Sequence, residues 1–394
     1  MHRYLSCLAL VGAAIVTAGS PSSAQGDFAA RARALHKQTP LIDGHNDYPW
    51  ALRELDPGRD LEKAEISKPV PKLMTDIPRL RQGGVGGQFW SVYTPSAMHG
   101  KEAVRATLEQ IDIVHRMARR WPETFAMAYT AADVERSFKA GRIGSLVGME
   151  GGHSIDNSLA ALRMFYALGA RYMTLTHSAN LPWADASTDS PVLGGLSKFG
   201  EEVVREMNRL GMLVDLSHVS PGTMEDALRV SEAPVIFSHS SAKALCNVPR
   251  NVPDNVLQLT AKNGGVVMVT FVPGFISQAV ADHDAKKAEG PAPRATLAQV
   301  ADHIDHLRKV AGIDHIGLGG DFDGITQVVA GLEDVSKYPD LTAELLKRGY
   351  SDEDVKKVLG LNVLRVLKQA EAVAARLQKT RPPSTATIEQ LDAK

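Results

Sequence analysis

Eight short, mostly apolar runs recur along this chain of 394 residues, and segments with helical spacing lie between them. The runs cover residues 41–45, 85–93, 143–150, 172–177, 212–218, 235–239, 265–271 and 315–321. They are continuous rather than alternating, as strands covered on both faces should be. The helical patterns fall at 102–120, 157–168, 200–210, 221–230, 253–263, 297–311 and 352–376. In the first of these, Val104, Leu108, Ile111, Val114, His115 and Ala118 repeat at helical spacing. Gly169, Gly211 and Gly312 stand where helix C-caps are expected, and Ser351 with Asp354 opens the last helix with a near capping box. Strand–helix alternation repeated this often predicts an α/β chain folded as a (β/α)8 barrel of the TIM type. An open doubly wound sheet accounts for the alternation too, but it leaves the first and last strands apart.

The ends of the runs favour the barrel. His45 and Asp47 (LIDGHND), Glu150 (IGSLVGME), His218 (LVDLSH), His239 (PVIFSHS) and Asp321 (HIGLGGD) each sit at or just past a run. Taken singly, each has an ordinary explanation. An HxD tripeptide is common, a strand-end glutamate can pair with an arginine, and a lone histidine is most often a satisfied core residue. Together they bring His and carboxylate to the tips of several strands, which is how a protein holds zinc. His45, Asp47, Glu150, His218 and His239 are five donors, more than one tetrahedral ion uses, so a two-metal centre with a bridging carboxylate is expected. His177, ending YMTLTH, suits a developing oxyanion, and Arg250 in NVPRNVPD suits bidentate capture of a carboxylate. A structural strand-end histidine and a surface arginine are the plain readings of those two. His303 and His306 fall on a segment rich in charge and read as a solvated helix face, while His153 is ambiguous. The glycine-rich stretch 83–87 lacks the lysine and spacing of a phosphate loop.

Hydrophobic residues make up 44% and charged residues 23%, a soluble globular composition. A formal net charge of −1 gives no electrostatic reason for a nucleic-acid or anionic-membrane partner. At the N-terminus, His2 and Arg3 precede an apolar stretch at 8–18 that is short for a membrane span, and Ser22, Ser23 and Ala24 offer a cleavage site. Residues 1–24 are therefore expected to be a signal peptide, with export to the periplasm or medium and no transmembrane anchor in the mature chain. Cys7 would leave with that segment, so Cys246 would remain without a disulfide partner. One catalytic domain over 25–376 and a polar, mobile tail over 377–394 complete the expected organisation.

The motifs DGHND, GMEGGHSI, YMTLTHSANLPWAD, DLSHVS, PVIFSHSSA, CNVPRNVPD and GLGGDFDGI occur in this order, and with GLEDVSKYPDL they span about 41–367. In that set the chain resembles the membrane dipeptidase (renal dipeptidase) family of zinc metallopeptidases. The resemblance implies a barrel of the metal-dependent amidohydrolase kind with two Zn2+ per subunit. His45 and Asp47 would bind one ion, His218 and His239 the other, and Glu150 would bridge. His177 and Arg250 would meet substrate, and Asp321 would move the proton of the nucleophile; Asp323, further into the loop, matches less well. The implied reaction is hydrolysis of a free dipeptide by a zinc-bridging hydroxide, and the implied assembly a homodimer. The cysteines and anchor signal of animal relatives are missing, so a disulfide-linked, lipid-anchored form is not expected. An amidohydrolase acting on another amide or lactone, such as an N-acyl amino acid, would use the same barrel. A non-catalytic periplasmic zinc-binding protein would need neither His177 nor Asp321.

Overall fold

In a computed structural model, which describes residues 21–58, 60–61, 65–287, 290–393, all eight apolar runs form strands, and a ninth short strand joins them. In chain order these are β1 (Leu41–Asn46), β2 (Val85–Ser91), β3 (Phe125–Met127), β4 (Ile143–Glu150), β5 (Ala170–Thr174), β6 (Leu213–Asp215), β7 (Ile236–Phe237), β8 (Val266–Val269) and β9 (Ile316–Leu318). All strand pairings are parallel; β1 pairs with both β2 and β9, and β2 pairs with β4, so the sheet closes on itself. This is the (β/α)8 barrel, and the open doubly wound alternative is excluded by that β1–β9 contact. The extra strand, β3, flanks the start of β4 (Phe125 opposite Ile143), while β2 and β5 complete the ring around it. It belongs to no predicted run because three residues are too few to show a pattern.

Within the ring, neighbouring residues alternate between two hydrophobic clusters. Ile42, Phe89, Leu146, Tyr172, Leu213, Ile236 and Met268 fall in one. Leu41, Trp90, Val147, Met173, Val214, Phe237 and Val269 fall in the other, against the helices. Continuing the first parity along the chain leads to Gly148 and Glu150 on β4, Thr174 on β5, Asp215 on β6 and Ser238 just past β7. The barrel interior therefore passes from an apolar floor to a polar mouth at the C-terminal ends of its strands. At β1 the register against β2 shifts between Asp43 and Asn46, and beyond that irregularity His45 and Asp47 both reach the mouth.

Several expectations for the helices change. The last helix is not continuous: Asp352–Lys356 leads through a π-helical turn, Lys357–Leu361, into Asn362–Leu377. The turn lies where Gly360 passes so close to the Pro40 carbonyl that a Cβ would come within 2.2 Å of it, and Asn362 Nδ2 donates to the Ile313 and Ile316 carbonyls. His303 is not on a solvated face. It is 1% exposed, its Nδ1 accepts from the Ala242 amide, and its Nε2 lies 3.0 Å from the Ile276 carbonyl, so it ties two loops together. His306 is half-buried beside Asp254. The polar C-terminal run, expected to be mobile, is docked. Asp392 accepts from Ser197 Oγ and the Phe199 amide, and Glu206 from the Ser384 amide, so polar side chains here serve as partners for the helix Lys198–Leu210.

A first helix, Pro21–Gln38, is absent from the expected elements, and only its first four residues fall within the expected leader, 1–24. Residues 1–20 of the expected signal segment lie outside the described residues. No helix among the described residues is long and apolar enough to cross a membrane.

Candidate metal centre

Glu150 ends β4 with its carboxylate over the barrel axis, and its two oxygens face opposite ways. Oε2 lies 3.4 Å from His45 Nε2, which is itself 3.2 Å from Asp47 Oδ2. Oε1 lies 3.0 Å from His218 Nε2, 3.5 Å from His239 Nε2 and 3.7 Å from His177 Nε2. Donor atoms thus gather in overlapping groups: His45, Glu150 and His239; Glu150, His177 and His218; His45, Asp47 and Asp321. All five residues expected to bind metal, together with His177 and Asp321, come to one place. Arg250 lines a cavity of about 740 Å3 together with Asp47, Glu150, His177, His218 and Asp321, and Trp50, Tyr93 and Phe275 border it.

The backbone is bent to make this possible. His218 (φ 70°) and Asp321 (φ 60°) both adopt the left-handed region, which costs non-glycine residues energy and concentrates at functional sites. Beyond Asp321, Gly324 is required by space, since a Cβ there would come within 2.2 Å of Asp47 Oδ2 and 2.7 Å of Asp321 Oδ1.

Charge and burial set the protonation preferences. Burial favours a protonated Glu150, but His45 and His218 outweigh it and hold its carboxyl well below the usual range. Burial also works against a charged His45, yet Tyr172, Glu150 and Asp47 leave that ring well above its ordinary value. His218 and His239 are pushed well below theirs by burial, helped by Arg250 and by neighbouring imidazoles. Asp321 is driven well above the usual carboxylate range by burial, with Asp47 and Glu150 reinforcing it against His45 and Arg250. Burial lowers Arg250 to about 10, which leaves it a cation at neutral pH.

The donor set fits divalent cations. Imidazole nitrogens and carboxylate oxygens are the ligands of zinc-type sites. His45 Nε2 and Asp47 Oδ1 are buried with no hydrogen-bond partner, and the Nε2 atoms of His218 and His239 face each other at 2.9 Å. The buried carboxylates of Asp47 and Glu150, with the partly buried Asp321 beside them, are costly to crowd together unless a cation lies among them.

Other residues entered the site unannounced. Ser91 Oγ donates to Glu150 Oε2 at 3.2 Å. Tyr93 packs edge-on against both Trp50 and His177. The Phe275 ring lies beneath the Arg250 guanidinium at 5.2 Å. His153, left ambiguous by the sequence, is buried beside Thr94 and joins the loops after β2 and β4. Asp323 accepts from the Met74 amide and so fixes one wall of the cavity.

Residues 29–381 match the family described as membrane dipeptidase, peptidase family M19. The chain belongs to the membrane dipeptidase family. As a member of this metallopeptidase family it is a hydrolase. Among its relatives, dipeptidase verJ of Clonostachys rogersoniana is 44% identical over 365 residues, which is 90% of either chain. Among solved structures, the probable dipeptidase PvdM from Pseudomonas aeruginosa superimposes with a TM-score of 0.79 at 27% identity, covering 90% of this chain and 100% of that one. A metallo peptidase from Rhodobacter sphaeroides, liganded with a phosphinate mimic of the dipeptide L-Ala-D-Ala, gives 0.76 at 27% identity over 84% and 99% of the two chains.

Proposed function

We propose that this family member is an exported dipeptidase that uses two zinc ions to hydrolyse free dipeptides. The observation that carries a substrate with a free carboxylate is Arg250. Its guanidinium is 4% exposed, lines the cavity beside Glu150 and His177, and has no carboxylate ion pair among the described residues. A buried cation left open toward a cavity is suited to a substrate carboxylate one residue from the scissile bond; dipeptides and N-acyl amino acids both carry one, and the dipeptidase relatives favour the dipeptide.

His45 and Asp47 would hold one ion, His218 and His239 the other, with one oxygen of Glu150 toward each pair. Bound zinc acidifies water and polarises a carbonyl. Arg250 seats the C-terminal carboxylate and so sets the peptide bond over the Glu150 side of the cavity. His177, at the mouth and T-stacked on Tyr93, is placed to steady the developing oxyanion. Asp321, grouped with His45 and Asp47, takes a proton from the attacking water and hands it to the leaving amine.

Metal analysis coupled to turnover on one preparation tests this reading. The panel contains L-L and L-D dipeptides, the latter prompted by the ligand of the Rhodobacter relative, with N-acyl amino acids as the competing substrates. Zinc near two per chain with turnover confined to dipeptides is the expected result. Turnover of N-acyl amino acids alone would move the assignment to another amide, and turnover by metal-free protein would end the mechanism.

A further inference from the structure

Among the four site imidazoles, Nδ1 of His177 and His218 has no hydrogen-bond partner, whereas Nδ1 of His45 and His239 does. His45 Nδ1 lies 2.8 Å from the Tyr172 hydroxyl, and His239 Nδ1 lies 2.8 Å from Ser238 Oγ. Each of those hydroxyls has its single proton placed elsewhere. Tyr172 donates to the Gly44 carbonyl at 3.2 Å. Ser238 donates to Asp215 Oδ2 at 2.6 Å. Asp215 is held as an acceptor, because Thr174 Oγ1 also donates to it, as do the Ser238 amide at 2.8 Å and the Ser217 amide at 3.1 Å. A hydroxyl that has given away its proton presents only lone pairs, so each imidazole must supply the proton of its contact from Nδ1. In the neutral ring, the remaining nitrogen, Nε2, then carries the lone pair. Those Nε2 atoms are the ones that face Glu150, at 3.4 Å for His45 and 3.5 Å for His239.

We propose that Tyr172 and the Asp215–Ser238 pair are positioning residues, which fix the tautomer and ring orientation of His45 and His239 so that both offer Nε2 to metal. The proposal rests on the reading of this site as a metal centre. One relay serves each side of the bridging carboxylate. None of the three residues lines the cavity, so they act through the imidazoles and not on substrate. The barrel keeps space for both relays. A Cβ at Gly148 would lie 2.1 Å from Tyr172 Cζ and 2.5 Å from its hydroxyl. A Cβ at Gly44 would lie 2.4 Å from the Ser238 carbonyl. Two strands thus give up a side chain where a relay residue passes, and Tyr172, Ser238 and Asp215 are all fully buried.

The test uses the full chain as wild type, Tyr172→Phe, Ser238→Ala and Ser238→Thr. Zinc affinity is read by competition with a chromogenic chelator, and the thermal midpoint is read on chelator-stripped protein. Tyr172→Phe and Ser238→Ala should each weaken zinc binding by about 10–100-fold, the usual cost of losing an outer partner of a ligating histidine. Ser238→Thr, which keeps the hydroxyl, should stay within about threefold of wild type, and the stripped midpoints of all four should agree within a few degrees. Unchanged zinc affinity in Tyr172→Phe and Ser238→Ala overturns the proposal while leaving the metal centre standing. A wild type that takes up no zinc removes the metal centre itself. Should a variant not fold, ring nitrogen shifts of histidine-labelled, zinc-loaded wild type decide the matter. A proton on Nδ1 of both His45 and His239 supports the relays, and a bare Nδ1 on either ring overturns them.

Discussion

At the scale of single residues, binding and chemistry should separate between Arg250 and Asp321. In the proposed mechanism Arg250 touches the part of the substrate that does not react. Arg250→Ala therefore removes charge-assisted hydrogen bonds worth about 1.5–3 kcal/mol, and KM for a dipeptide should rise roughly 10–100-fold with little change in kcat. An unmoved KM in steady-state kinetics would mean that the carboxylate is held elsewhere. With Asp321 proposed to move the proton, Asp321→Asn should lower kcat by about 10²–10⁴-fold while bound zinc, counted by metal analysis, stays at the wild-type level. Loss of zinc in that variant would make Asp321 a ligand instead. Asp321 was legible in the sequence because it ends an apolar run with a side chain that is costly to bury without a partner, whereas Arg250 ends no run and was marked only by the resemblance. Tyr172 and Ser238 were not legible. Nothing near Tyr172 in the sequence marks it, since its partner His45 lies 127 residues away. His303 misled for a related reason: its charged helical neighbours are visible in the sequence, but the loop at Ile276 that covers it is not.

At the scale of elements, the N-terminal helix Pro21–Gln38 is joined to the helix Tyr338–Lys347 through His36, whose Nε2 lies 2.8 Å from Thr342 Oγ1. Burial lowers His36 to about 4, against backbone contacts at Gly83 and Gly84 that favour its charged form. The ring is thus neutral in the fold, while the unfolded chain takes up a proton near the ordinary value of about 6.5. Between those two values the unfolded state binds more protons, so stability rises with pH. The contribution is complete above about 6.5 and is lost as pH falls through about 4, on the order of 3 kcal/mol in all. His36→Gln should flatten the fall in urea-unfolding free energy between pH 7 and pH 4.5 relative to wild type, and parallel slopes in the two proteins would rule His36 out. Helices such as Lys198–Leu210 could be read because amphipathic spacing and the cap glycine Gly211 are local signals. The π-helical turn at Lys357–Leu361 could not, because the Pro40 carbonyl that crowds Gly360 comes from the far end of the chain.

At the scale of the molecule, the alternation of runs and helices specifies βα units but not whether their sheet closes. What pointed to closure was chemistry: His45 and Asp47 near the first run and Asp321 near the last make sense together only if those runs are neighbours. The β1–β9 pairing makes them so. The same topology determines how metal should act on stability. The donors come from β1 and β4 and from the segments after β6 and β7, so bound cations would tie together strands spaced around the whole ring. Stripping them should therefore destabilise the barrel as a unit rather than loosen one loop. A ligand present at 100 times its dissociation constant adds about 2.7 kcal/mol to the native state. At about 2–4 °C per kcal/mol for large domains, the thermal midpoint should fall by roughly 5–10 °C on chelation, with activity lost. The unfolding transition should remain single, and added zinc should restore both midpoint and turnover. Calorimetry on stripped and reloaded protein checks this. A midpoint unmoved by chelation would show that the carboxylates are balanced without metal, and a second, early transition would show that the ions hold only the mouth.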